Sequence, residues 1–210
     1  MNAIATFRKT LSVTASAVIV ALTIGAAFGQ AVKVSSDNPS FDDLLSPEVS
    51  GGKNKAFKPR DWLEIETKLK VSMSPAPPSA TCDRLTVKWY VAISNPERSG
   101  TMLLLTKDVD HVNIPLDEDI YASVYLSPAS LKRITGSDRG GKKAVEYVGY
   151  EVLVNGQKVA EGTSKGRPGW WAVASPKISR SDAVPLLNKA ESAFSHLWWD
   201  RYAEVSVDRR

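Results

Sequence analysis

Apolar and polar residues alternate through most of the middle of this chain, at the two-residue period of half-buried strands. Leu63, Ile65, Thr67, Leu69, Val71 and Met73 alternate with Glu64, Glu66, Lys68 and Lys70, which predicts a strand with one solvated face. After the loop Ser74-Pro-Ala-Pro-Pro-Ser-Ala-Thr81, Leu85, Val87, Trp89, Val91 and Ile93 form a second apolar face that stops at Asn95-Pro96. Thr101 to Thr106 predicts a third strand. Ile120, Ala122, Val124 and Leu126, interleaved with Tyr121, Ser123 and Tyr125, predict a fourth. Ser127-Pro128 opens a helical turn through Leu131, Lys132 and Ile134, and Gly136 stops it. Asn155-Gly156 separates two strand-like runs by two residues that tolerate positive φ, so it predicts a type I′ hairpin. That hairpin would pair Val154 with Gln157 and Val152 with Val159. Trp170 to Ala174, after Arg167-Pro168-Gly169, reads as the last strand.

The period then changes. Asp182 can cap a helix, and Pro185 falls in its first turn. Leu186, Leu187, Ala190, Phe194, Leu197, Trp198 and Tyr202 share one helical face, while Trp199 lies on its flank with Asn188, Ser192 and Ser195. These signals predict an all-β fold: an immunoglobulin-like β-sandwich of about seven strands over residues 57–180, with a C-terminal α-helix over 181–203 packed on it. Residues 30–56 are rich in Ser, Asp, Asn, Pro, Gly and Lys and read as a flexible linker.

Residues 1–29 carry an address. Arg8 and Lys9 precede an apolar run from Leu11 to Phe28, and small residues follow. The pattern is that of a secretory signal peptide cut before Gln30, or after Ala31; a retained anchor helix is the alternative. The formal net charge is +4, and loss of the segment leaves +2, too little for a phosphate-binding stripe. No nucleic-acid or nucleotide partner is expected. Cys82 is the single cysteine, so no internal disulfide is available, and it reads as a shielded thiol.

Several constellations carry candidate chemistry. Gly162-Thr-Ser164-Lys-Gly166, with Asp182 and His196 downstream, matches the order of α/β-hydrolases. A nucleophile elbow needs a helix after the serine, and Arg167-Pro168-Gly169 resists one. Gly136-Ser-Asp-Arg-Gly-Gly141-Lys142-Lys143 approaches a phosphate-binding loop, but Lys143 stands where Ser or Thr would hold magnesium. Asp108, Asp110, Asp117, Glu118 and Asp119 lack the spacing of a calcium loop, and His111 and His196 lack zinc spacing. The expectation is therefore no catalytic residue, no metal and no cofactor. The tryptophans remain. At most one of Trp170-Trp171 and one of Trp198-Trp199 is buried by the local pattern, leaving Trp170 and Trp199 as candidate partner-binding residues, for a protein or, alternatively, a glycan.

The stretch Trp62-Leu-Glu-Ile-Glu-Thr-Lys-Leu-Lys-Val71, the block Val145-Glu-Tyr-Val-Gly-Tyr-Glu-Val-Leu-Val-Asn-Gly156 and Gly169-Trp-Trp171, with the leader and linker, resemble a family of verrucomicrobial immunoglobulin-like proteins associated with type IV pilus genes. The resemblance covers most of Phe57 to Tyr202. It implies a sandwich similar to the pilin domains of archaeal adhesion filaments, an exported protein of the periplasm, outer membrane or cell surface, partners among pilus or other envelope proteins, and no catalysis. The small-residue site follows the apolar run here, unlike that of a polymerising pilin, so the resemblance points to a pilus-associated or surface module.

Overall fold

The computed structural model describes residues 30–48, 57–137 and 139–207; the predicted signal segment, 1–29, lies outside them. Two sheets pack face to face. The first holds β1 (Ala31–Ser36), β2 (Ser40–Leu45), β3 (Asp61–Ser74), β6 (Asp119–Leu126) and β10 (Leu187–Asn188), in the order β1-β3-β6-β10 with β2 also on β3. The second holds β4 (Thr81–Ser94), β5 (Met102–Pro115), β7 (Val145–Val154), β8 (Gln157–Thr163), β9 (Ile178–Arg180) and β11 (Glu204–Val205). Its order is β11-β5-β4-β7-β8, and β9 runs parallel to the start of β5. The chain is thus the all-β sandwich that the alternation predicts, with eleven strands among the described residues where about seven were expected.

The inner faces follow the sequence alternation. Leu63, Ile65, Leu69 and Val71 of β3 meet Leu85, Val87, Trp89, Val91 and Ile93 of β4, all buried. Trp89 fills the centre against Tyr150, with ring centroids 5.6 Å apart. The Tyr150 hydroxyl crosses to the first sheet and donates to the Asp37 carbonyl at 2.7 Å. Cys82 is buried, and burial pushes its thiol pKa up, as expected of a shielded thiol.

The predicted helical turn is α1 (Pro128–Thr135). The Ser127 hydroxyl caps it by accepting from the Ser130 amide, Pro128 lies in its first turn, and Gly136 ends it at φ 73°. The hairpin also forms: Asn155 and Gly156 take φ 51° and 76°, and Val154 pairs with Gln157. A bulge at Val152/Leu153 shifts the register beyond, so Val152 pairs with Ala160 and not with Val159.

Two segments differ from the sequence reading. Residues 31–45, assigned to a flexible linker, form β1 and β2, which lie end to end along one edge of β3. β3 is 14 residues long, and each short strand pairs with half of it. Val32, Val34 and Phe41 are enough to seat them against the core, because an edge strand needs only a few inward apolar residues. The sandwich accordingly begins before residue 57.

The C-terminal helix over 181–203 does not form, and the one α-helix among the described residues is α1. Leu187 and Asn188 instead pair with β6, Lys189–Glu191 makes a single 3-10 turn, and Glu204–Val205 pairs with β5. Local polar side chains take the backbone bonds a helix would use. Asn188 and Glu191 form a capping box, the Ser192 hydroxyl donates to the Lys189 carbonyl at 2.8 Å, and the Phe194 amide donates to that hydroxyl at 3.1 Å. The segment belongs to the sandwich all the same. It joins the edge of one sheet to the edge of the other and closes that side of the core.

Candidate functional site

Two aromatic clusters lie on the outer faces of the sandwich, one for each tryptophan pair. Trp170 and Trp171 sit on a short 3-10 turn, Trp170–Ala172, and not on the predicted strand; Gly169 leads into it at φ 82°. Both are half-buried. Trp171 stacks on Tyr90, with centroids 4.8 Å apart and planes 8° apart. It lies directly on Gly149 in the middle of β7, where any Cβ would enter the indole. Trp170 meets Trp171 edge-on at 5.5 Å and Tyr147 at 5.5 Å, and its indole N–H donates to the Thr163 hydroxyl at 3.1 Å. Lys165 covers the Tyr147 ring at 4.5 Å. Burial and the adjacent Glu151, which accepts the Tyr90 hydroxyl at 3.1 Å, push the Tyr90 pKa up to about 12.

The second cluster is built on β3 and β6. Phe194 is buried between Trp62, edge-on at 5.6 Å, and Tyr125, stacked at 5.4 Å. Trp198 stacks on Phe194 at 6.0 Å and is 45% exposed, so it is not the buried member of a helical stripe. It occupies φ 50°, a left-handed conformation that costs a non-glycine residue roughly 1–2 kcal/mol. Trp199 follows at 80% exposure.

Lys189 holds this loop from beneath. It is buried, and its ammonium donates to the carbonyls of Phe194 at 2.9 Å, Ser195 at 3.3 Å and Leu197. Burial lowers its pKa; Glu64 acts in the opposite sense. Below the loop, Glu64 accepts from the hydroxyls of Tyr125 at 2.8 Å and Tyr202 at 3.0 Å. Glu66 accepts from Tyr202 at 2.7 Å and from Arg201 at 2.8 and 3.1 Å. Burial is the leading cause that raises both tyrosine pKa values. Sequence reasoning missed Lys189 and this carboxylate–tyrosine network. Their only local signal is a lysine between two apolar stretches and two glutamates on a solvated strand face.

The remaining motifs are dispersed or structurally employed. The Ser164 hydroxyl accepts from the Val148 amide at 3.0 Å and the Ser164 amide donates to the Val148 carbonyl at 2.9 Å, which continues the ladder past β8. Asp182 pairs with Arg180 at 3.7 Å, His196 is exposed, and no hydrogen bond joins either to Ser164 among the described residues. Gly162 of the same motif leaves room for the Tyr150 hydroxyl. In the glycine-rich loop, the Gly140 amide donates to Asp61 at 3.0 Å and the Lys142 amide to Asp43 at 2.9 Å, so carboxylates of the chain take the amides a phosphate would need. Asp110 pairs with Arg84 and Thr86, Asp108 with Lys88 and Asp119 with Lys68; these carboxylates serve separate cations.

His111 is fully buried beneath β11. Its Nδ1 donates to the Ala203 carbonyl at 3.3 Å, and its Nε2 has no hydrogen-bond partner among the described residues. Desolvation lowers its pKa to about 4.

Fold and surface together define a two-sheet β-sandwich domain with one aromatic cluster packed on itself and another held open. A protein-family model matches residues 25–209, and the chain belongs to that family. A crystal structure from Akkermansia muciniphila, of the Verrucomicrobia, is similar at 42% identity with a TM-score of 0.80, covering 85% of this chain and 95% of that one. No curated protein matches.

Proposed function

We propose that this chain is a non-catalytic interaction module of an exported, type IV pilus-like or adhesion system, and that Trp199 is its docking residue. Membership of a family with a verrucomicrobial relative supports the setting. The observation that carries the docking role is the 80% exposure of Trp199 on a loop fixed by Lys189 and by the Trp62–Phe194–Trp198 stack. A large aromatic presented rigidly loses little entropy on binding, and tryptophan is enriched at energetic hot spots. Trp170 is the weaker candidate. Its N–H and its ring contacts are taken up by Thr163, Tyr147 and Trp171. The glycan alternative has less support: a sugar needs unused polar groups beside a free indole, and next to Trp199 the Lys189 ammonium is already held by the carbonyls of Phe194, Ser195 and Leu197.

The test is site-specific photocrosslinking in intact cells of the source bacterium, with a photoreactive amino acid at position 199 and, separately, at Val173. Adducts with a pilus or envelope protein from position 199 alone support the reading. Adducts from neither position, or equally from both, would sink it.

A further inference from the structure

β5 is covered on its outer edge at both ends and open in the middle. At one end β9 pairs with Met102–Leu104, where the Met102 amide donates to the Lys177 carbonyl at 2.7 Å and the Ser181 amide to the Leu104 carbonyl at 3.0 Å. At the other end β11 pairs with His111 and Val112, and the Ser206 amide donates to the Asp110 carbonyl at 2.8 Å. The register of β5 on β4 is constant from Met102 to Val112. Successive residues of such a strand send their N–H and C=O groups to alternate sides. Thr106 and Asp108 therefore send theirs outward, as Met102, Leu104 and Asp110 do, and no hydrogen bond from the described residues meets them. The Asp110 amide makes no return bond to Ser206. A hollow of about 350 Å³ lies along this open stretch, between Asp108 and Asp110 of β5, Asn188 and Ala190 at the edge of the other sheet, and Val205 of β11.

We propose that this edge is a slot for strand addition, filled by an extended segment of a different protein that runs antiparallel to β5, as β11 does, in the gap between β9 and β11. The guest main chain takes the free groups of Thr106 and Asp108 and the Asp110 amide, so recognition is by the backbone and suits a polar hollow. The open stretch, Leu105–Val109, is ~17 Å long at the rise of a strand. Its charges select the guest. Two copies of this edge paired about the middle of the gap would set Asp108 opposite Asp108, or Lys107 opposite Lys107, and like charges directly opposite are destabilising. Charged residues on an edge strand guard it in the same way against indiscriminate pairing. A guest with a basic residue opposite the exposed Asp108 meets no such penalty. Opposite Lys107 a small residue suffices, because Glu191 already accepts from that ammonium at 2.8 and 2.9 Å. This slot is independent of the role of Trp199.

Amide NMR of the isotope-labelled full chain tests this, with the peptide acetyl-Thr-Ala-Lys-Ala-Thr-amide as the probe, its lysine placed to face Asp108. Millimolar peptide should shift the amides of Thr106 and Asp108 and leave those of β8, the opposite edge of the same sheet, unchanged. At ten times its dissociation constant it should slow hydrogen exchange at Thr106 and Asp108 about tenfold. N-methylation of the lysine amide, which donates to the Asp108 carbonyl, should weaken binding about tenfold. N-methylation of the alanine amides, which point away from β5, should not. Silence at Thr106 and Asp108, an equal response of β8, or an equal effect of the two methylations overturns the proposal. So does protection of the Thr106 and Asp108 amides in the free protein, whether by its own residues after Val207 or by a second copy. Crosslinking from position 199 is read separately, so the docking role of Trp199 stands or falls without this slot.

Discussion

Trp170-Trp171 and Trp198-Trp199 are the same dipeptide used in opposite ways. In the first pair both indoles are half-buried and share their surfaces with Tyr147, Tyr90 and each other. Gly149 is hollowed out to receive one of them, and Thr163 takes the N–H of the other. In the second pair the supporting contacts stop at Trp198, and Trp199 stands free. The contrast shows that aromatic content does not mark a binding surface. What marks it is an aromatic side chain left over after the scaffold beneath it is satisfied.

The sharpest way to break the second cluster is from below. Phe194→Ala removes a buried ring that touches Trp62, Tyr125 and Trp198. It should cost about 3–5 kcal/mol, read as a fall in melting temperature and as loss of any Trp199-dependent binding. An intact melt would show that the C-terminal segment is an appendage and not part of the fold.

Acid should loosen the same side of the molecule next. His111 has a folded pKa of about 4 against an ordinary value of 6.5, so the folded state favours the neutral ring. Its stabilising contribution is complete above pH 6.5 and is lost as pH falls towards 4. The loss is on the order of 3 kcal/mol at the low end, from the size of the shift. Because His111 sits under Ala203, hydrogen exchange at falling pH should release the amides of 203–206 before those around Gly149. In His111→Gln this part of the pH dependence should disappear; an unchanged profile would assign it to other groups.

Trp171→Ala tests the first cluster. The indole is half-buried, so its loss should cost about 2 kcal/mol, below the range for a fully packed tryptophan. Binding through Trp199 should not change. A Trp171 variant that binds less at unaltered stability would reverse the assignment of the two clusters.

Trp199→Ala should have the smallest effect on stability, within about 0.5 kcal/mol, as for exposed sites without special contacts. Equal, large destabilisation by Trp198→Ala and Trp199→Ala would mean that both are core residues and would end the docking role for Trp199.

Much of the fold was determined by the sequence itself. The alternation in 63–71 and 85–93 fixed which faces of β3 and β4 are buried, because successive side chains of a regular strand point to opposite faces. Ser127-Pro128 with Gly136, and Asn155-Gly156, determined α1 and the hairpin, because caps and positive-φ turns are local chemistry. The local pattern marked Trp199 only as a candidate on the flank of a helix; that helix is absent, and the tertiary structure decided its 80% exposure. Tertiary structure alone decided the rest. β1 and β2 carry so few apolar residues that only the unpaired edge of a 14-residue β3 turns them into strands. The stripe through Leu187, Phe194 and Tyr202 has a helical period, yet each residue answers to a different distant partner: the edge of β6, the ring of Tyr125, and the carboxylates of β3. Periodicity records which residues are buried. It does not record what buries them, and in this segment the Lys189 ammonium and the Asn188 and Ser192 side chains outcompeted the helical backbone bonds.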